Sequence, residues 1–266
     1  MKFIEEMASR LDAQRQNTDL LRKSAAFLEA TIASKYSYNF SCLGRPIIQY
    51  PQDIVNLQEL IWAVKPDLII ETGIAHGGSL ILSASMLAML DYCEAVESQT
   101  ILDPTKTKRR VLGIDIDIRA HNRAAIEEHP MSHRIDMIEG SSIADDVVKQ
   151  VHEIANEYEK VLVILDSNHT HDHVLAELKA YAPLTSKNSY CVVFDTVIED
   201  LPDSMFPDRP WSKGNNPKTA VWEYMQSLTE SPTSGVDGAP LRFKIDKQID
   251  EKLLITAAPD GYLRRI

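Results

Sequence analysis

PDLIIETGIAHGGS, residues 66–79, is the stretch on which the reading of the chain turns. Asp67 to Ile70 is a short apolar, β-branched run bounded by Pro66 and a glycine-rich segment, which reads as a buried strand. It ends on Glu71 and passes through Gly73 into the pair Gly77-Gly78. Glycine has no Cβ, so the backbone can turn tightly there and a ligand can approach the start of the next helix. The stretch reads as strand, glycine turn and helix, the unit from which open α/β sheets are built.

The same alternation continues downstream. DLIIE is followed by a helix from Ser79 to about Cys93, then VLGID, a helix from His121 to Glu128, RIDMI, and a helix from Ile143 to Tyr158. VLVILD, a helix from His173 to Tyr181, and SYCVVFD complete five strands, which right-handed crossovers wind into a parallel sheet. After a helix from about Pro217 to Leu228, LRFKI and KLLITAAP read as a closing antiparallel pair. The fold expected is α/β: a Rossmann-like, mostly parallel seven-stranded sheet with helices on both faces.

Upstream, the apolar positions Ile4, Met7, Leu11, Leu20, Leu21, Phe27, Leu28 and Ile32 recur near helical spacing and predict one or two helices. KYSYNFSCLGRPIIQYPQD then reads as an ordered loop, and Ile54 to Val64 as a helix stopped by Pro66. Residues 1–50 are therefore assigned to an N-terminal helical segment with a substrate or oligomer loop, and 51–266 to the main domain.

With 266 residues, 44% of them hydrophobic, the chain can bury a substantial core. A net charge of -11 argues against binding nucleic acid, which relies on excess Lys and Arg. Cys42, Cys93 and Cys191 imply no disulfide framework. The charged N-terminus lacks the apolar core of a secretory signal, and the sequence offers no apolar stretch expected to be long enough to span a bilayer, so a cytoplasmic protein is expected.

In open α/β sheets, ligands bind beyond the carboxyl ends of the strands. The spacing Gly73, Gly77, Gly78 is neither the G-x-G-x-x-G of a dinucleotide site nor a phosphate-binding G-x-x-x-x-G-K-[ST] loop. A carboxylate at Glu71 would repel a pyrophosphate and attract the ammonium and sulfonium of S-adenosylmethionine (SAM). Glu71, Gly73, His76, Gly77, Gly78 and Ser79 are the cofactor candidates here. Asp115, or Asp117 two residues on, can accept hydrogen bonds from ribose hydroxyls; Ser141 and Ser142 can contact an adenine edge or cap the following helix.

Asp166 and Asp195 end two further strands, where both carboxylates can meet near the cofactor and hold Mg²⁺, with Asp166 also touching SAM. The metal would stabilise the alkoxide of an acceptor hydroxyl. His169, three residues past Asp166, can remove the hydroxyl proton. HTHDH also raises a zinc or iron site, but His169 and His173 share a helical face while His171 points elsewhere. His171 and His173 read as a solvated or structural pair.

The stretches YSYNFSCLGRPIIQYPQD, KPDLIIETGIAHGGSLILSASML, VLGIDIDIR, IEGSSI, LDSNHTHDHVLAELKAYAPL, SYCVVFDT and NNPKTAVWEY resemble the cephalosporin hydroxylase and rhamnosyl O-methyltransferase family of bacterial SAM-dependent enzymes. They run from Tyr36 to Tyr224. The resemblance implies a class I methyltransferase fold, SAM as cofactor and a Mg²⁺ site of the catechol O-methyltransferase type. In that type a lysine three positions beyond the first aspartate serves as base; His169 stands in that place. Phe194 occupies a position where a second acid is expected in some relatives, which leaves Thr196, Glu199 or water for the third metal position. Relatives are expected to be homo-oligomers, with polysaccharide biosynthesis as one setting.

On the substrate side, Tyr36, Tyr38, Asn39, Phe40, Arg45 and the loop FPDRPWSKGNNPKT suit a sugar, whose apolar face stacks on aromatics while its hydroxyls are hydrogen-bonded. Tyr36 and Phe40 fit equally as packing for the N-terminal helices. Trp211 reads as a lid residue or surface anchor, and Asn215-Asn216 before Pro217 also as a helix start. The leading expectation is a Mg²⁺-assisted SAM-dependent O-methyltransferase acting on a saccharide or natural-product hydroxyl. The alternatives are a nicotinamide-dependent oxidoreductase and a non-catalytic SAM-binding accessory protein.

Overall fold

The structure, a computed structural model, describes residues 2–266. Two N-terminal helices, α1 (Lys2–Gln16) and α2 (Thr18–Ala33), precede a short hairpin of β1 (Phe40–Cys42) and β2 (Arg45–Ile47). The hairpin lies inside the segment expected to be a loop. Leu43 and Gly44 both have positive φ, 45° and 88°, which closes a two-residue turn between strands that sequence alternation alone is too short to reveal.

The main body follows as α3 (Pro51–Val64), β3 (Leu68–Thr72), α4 (Gly78–Ser98), β4 (Arg110–Asp115), α5 (Ala120–Glu127), β5 (Ile135–Glu139), α6 (Asp145–Ala155), β6 (Val161–Leu165), α7 (His171–Tyr181) and β7 (Tyr190–Val193). It ends with α8 (Pro217–Glu230), β8 (Phe243–Ile245), α9 (Lys247–Leu253) and β9 (Tyr262–Arg265). The strands order as β5-β4-β3-β6-β7-β9-β8, parallel as far as β7 and antiparallel beyond it. The reversal between β4 and β6 on either side of β3 places the crevice of the sheet at the end of β3, where the glycine turn lies.

The closing pair is shifted from the expected place. KLLITAAP contributes the end of α9 and a turn, and the last strand is Tyr262–Arg265. Tyr262 is fully buried and its hydroxyl donates to Asp53 of α3, a group whose acidity burial weakens to a pKa of about 6. That bond, with those of Thr256 and the Ala257 amide to the same carboxyl, ties the C-terminal strand to the start of α3.

The strands β3, β6 and β7 are buried along their whole length, as both-faced burial in a parallel sheet requires. One core layer packs Leu112, Val163, Leu178 and Val221 on one face; the other packs Ile69, Leu80, Ile81 and Leu162 on the opposite face. By length and composition α4 is long and apolar enough to cross a bilayer, contrary to the expectation from the sequence. Leu80, Ile81, Ala84, Leu87 and Leu90 are buried in the second layer, the situation of a core helix in an α/β domain.

The turn between β3 and α4 is shaped by contacts as well as by conformation. Gly73 has φ +91°, and a Cβ there would stand 2.1 Å from the carbonyl oxygen of Asp166. At Gly78 a Cβ would meet the Pro46 carbonyl oxygen at 2.2 Å, so this glycine admits β2. Glu71 sits beneath the turn, 1% exposed, where it was expected to face the ligand. Burial raises its pKa from 4.5 to about 7, offset in part by a hydrogen bond from Ser79. Its carboxyl does not line the crevice, and burial away from water favours its protonated form.

Two outcomes follow for this turn. Gly73→Ala should lower Tm by at least about 4–8 °C, the equivalent of about 2 kcal/mol for a domain of this size, read by thermal unfolding. Glu71 has its pKa raised on folding, so its contribution to stability is full below its unfolded value and lost as pH rises through about 7. Glu71→Gln should accordingly raise Tm by roughly 4–8 °C at pH 8 and by little at pH 5; equal shifts at both pH values would show the carboxyl to be ionised in the fold.

Candidate functional site

A cavity of about 490 Å³ opens at the carboxyl ends of β3, β6 and β7. Its inner end is lined by Gly73, His76, Ser79, Asp166, His169 and Asp195. Its outer wall comes from Ile198, Leu201, Met205, Phe206 and Trp211, in the segment between β7 and α8, with Tyr38 opposite on the N-terminal side.

Asp166 follows the last residue of β6, and its backbone N–H donates to the Thr72 carbonyl 3.0 Å away, continuing the ladder past both strands. Asp195 follows β7 in a left-handed conformation, φ 55°, which for a non-glycine residue is uncommon outside functional and turn positions. Asp166, His169 and Asp195 each offer a ligand atom, and these atoms lie within 4.8 Å of one another. His169 Nδ1 is 3.2 Å from Asp195 Oδ2, and the His169 ring meets Trp211 edge-on at 4.7 Å.

Burial pushes the Asp166 carboxyl well above the usual carboxylate range, and the neighbouring Asp195 carboxylate pushes it further. Two carboxyl groups crowded together without a counter-charge form a site that favours a cation. Gln49 adds a second sign of this. It is 4% exposed, its Nε2 donates to Asp166 Oδ2 at 3.1 Å, and its Oε1 is buried with no hydrogen-bond partner. Oxygen donors around an acidic pair are what a hard divalent ion such as Mg²⁺ takes, so the residues present fit that ion.

Two candidates for the remaining metal position are otherwise engaged. Thr196 is fully buried and donates its hydroxyl to the Pro259 carbonyl at 2.7 Å. Glu199 accepts from the Gly214 N–H and from Asn216 Nδ2, stapling its own loop. Neither lines the cavity, as Asp166 and Asp195 do. Phe194 is buried in the core.

On the cofactor side, His76, Gly78 and Ser79 line the cavity with Gly73, whereas the structure sets Gly77 beneath the turn against Ile126. Asp115 does not line the cavity. Its carboxylate accepts from the Ile74 and Ala75 N–H groups at 2.8 and 3.2 Å, holding the turn in shape. A carboxylate has about four acceptor positions, so this leaves capacity for a ribose hydroxyl. Asp117 is exposed, and its N–H donates to Asp115.

Ser141 and Ser142 do not cap α6, whose N-cap is Ala144. Ser142 is buried and its hydroxyl lies between Glu177 and His173, so it is unavailable to an adenine edge in this arrangement. His173 belongs to that buried group, and His171 bonds Thr219 and Glu223. The three histidines of HTHDH thus diverge. Asn216 caps α8 with Pro217 in the first turn, the helix-start reading of that motif.

Sequence reasoning missed Gln49, and it placed Arg45 with the acceptor. Arg45 donates to the His76 carbonyl and to Asn122 Oδ1, latching β2 onto the glycine turn. Gln49 carries no motif; only the path of the hairpin across α4 brings it to Asp166. Tyr36 packs edge-on against Phe40 and Phe27, the packing role allowed for it, and lies 5.9 Å from the Tyr50 ring.

Comparison with known proteins gives the family of the chain. The profile of the family described as Rhamnosyl O-methyltransferase/CmcI matches residues 34–266. A rhamnosyl O-methyltransferase of Mycobacterium tuberculosis is 30% identical over 214 residues, covering 80% of this chain and 73% of that protein. Its counterpart from Mycobacterium leprae is 30% identical over 224 residues, covering 84% and 82%. A CmcI structure in its Mg-SAM form superposes with a TM-score of 0.50 at 16% identity, over 86% of this chain and 77% of that one, a likeness of fold. Extending over nearly the whole sheet and its crevice, the match places this chain in the Rhamnosyl O-methyltransferase/CmcI family.

Proposed function

We propose that the chain is a Mg²⁺-assisted, SAM-dependent O-methyltransferase acting on a hydroxyl of a saccharide or natural-product intermediate. The observation that carries this reading is the convergence of Asp166, His169 and Asp195 beside the glycine turn. The family supports the reaction class, and the sugar-directed names of the mycobacterial relatives support a saccharide acceptor.

Asp166 and Asp195 would hold the metal, which when bound lowers the cost of negative charge on the acceptor oxygen. Asp195 fixes the His169 ring through Nδ1, so Nε2 is the atom that takes the hydroxyl proton. SAM, held at the Gly73–Ser79 turn, would supply the methyl group to that oxygen and leave as neutral S-adenosylhomocysteine. Trp211 against His169 limits the histidine's motion, and the apolar wall from Ile198 to Phe206 keeps water from the reacting groups.

A homo-oligomer is part of the same reading. Val55 and Trp62 of α3 and Met89, Tyr92 and Val96 of α4 are large exposed apolar side chains on two helices that pack together, which supports self-association.

His169→Ala should reduce kcat about 10²–10⁴-fold in an assay of labelled methyl transfer to glycan acceptors, with SAM binding retained. Asp166→Ala, or chelation of the wild type, should also abolish turnover; full activity of Asp166→Ala in chelator would refute the metal's role. In thermal-shift measurements SAM and S-adenosylhomocysteine should stabilise the protein, whereas stabilisation by NAD alone would favour a nicotinamide enzyme.

A further inference from the structure

The acidic pair brings two carboxylates to the candidate metal, and His169 is reserved for the proton. Phe194, Thr196 and Glu199 supply no further donor, for the reasons given above. Gln49 lines the cavity and sets its terminal amide against Asp166, while its buried carbonyl oxygen has no hydrogen-bond partner. Leaving such an acceptor unsatisfied is costly, so the amide gains little from its present orientation and can be turned by an ion that takes its oxygen.

The backbone on both sides of Gln49 is firmly placed. Ile47 is buried against Gly78, where an added Cβ would fall 2.7 Å from the Ile47 Cβ. Tyr50 is buried, its hydroxyl 2.9 Å from Thr31 Oγ1, and α3 starts at Pro51. Two anchored neighbours hold the side chain between them in the cavity wall, with its amide at Asp166.

A half-turn of the terminal amide exchanges oxygen and nitrogen while leaving the space filled unchanged. In that orientation the oxygen would lie about where Nε2 does, 3.1 Å from Asp166 Oδ2. Neighbouring oxygen ligands of an octahedral Mg²⁺, each about 2.1 Å from the ion, are separated by roughly 3.0 Å. The spacing found suits two oxygens sharing one ion.

We propose that Gln49 is a ligand of the divalent cation held by Asp166 and Asp195, its amide oxygen filling a position that the residues around Asp195 leave without a donor. This rests on the metal-assisted reading above and extends the site to the segment before α3. Without metal the amide turns its N–H to Asp166; with metal it turns its oxygen to the ion. The link between the hairpin and α3 thereby becomes part of the metal centre.

The test is direct metal binding without SAM or acceptor: calorimetric titration with Mg²⁺, and Mn²⁺ titration followed by electron paramagnetic resonance. Wild type, Gln49→Leu and Gln49→Glu are compared, with folding checked by circular dichroism and by Tm in chelator. Gln49→Leu should weaken the Kd for both ions at least about tenfold, and Gln49→Glu should bind as tightly as wild type or more tightly. An unchanged Kd in folded Gln49→Leu, or weaker binding by Gln49→Glu, overturns the role of Gln49 while the metal-assisted mechanism stands. Failure of the wild type to bind either ion overturns both.

Discussion

The site depends on how closely the β3–α4 turn presses on the end of β6. Gly73 stands so near the Asp166 carbonyl that no side chain fits between them, and the Asp166 N–H reaches back to Thr72. This contact brings the loop suited to a cofactor and the carboxylate suited to the reaction to one place. A parallel sheet supplies the common edge, because all its strands end on the same side. What this chain adds is the closeness, which only a glycine at φ +91° allows.

The N-terminal segment belongs to the same construction. Gly78 lacks the Cβ that would collide with Pro46, and Arg45 reaches from β2 to the His76 carbonyl. The glycine turn is thus held from below by Asp115, from the side by Asn122 through the Ala75 carbonyl, and from above by the hairpin. Glycines that read as openings for a ligand also serve as seats for neighbouring backbone. The two roles are compatible, since Gly73 and Gly78 border the cavity as well.

The sheet was legible in the sequence because its strands are short β-branched runs buried on both faces and separated by amphipathic helices. Asp166, His169 and Asp195 were legible because residues just past the carboxyl ends of parallel strands border the crevice. Glu71 lies at a strand end too, yet one residue of register turns its carboxyl under the turn, and alternation cannot be followed through a glycine-rich bend. Ser142 was lost to Glu177, 35 positions away, a pairing no local pattern discloses. Gln49 lies 117 positions from Asp166 and depends on the packing of a hairpin that is itself set by two positive φ angles. The C-terminal strand was misplaced because KLLITAAP is as apolar as a strand, while the buried Tyr262 and its bond to Asp53 decide which segment joins β7.

The segment from Thr196 to Asn216 is fastened at both ends, and its two ends are fastened to each other. Thr196 is tied to Pro259, Asn216 caps α8, and Glu199 gathers the Gly214 N–H and the Asn216 amide. Between those ties lie the apolar side chains that form the outer wall of the cavity. Such a segment behaves as a cassette: its interior can diverge by mutation, or be exchanged by grafting, while the catalytic floor beneath keeps its shape. Descendants of this scaffold could therefore acquire new acceptors without rebuilding the machinery that transfers the methyl group.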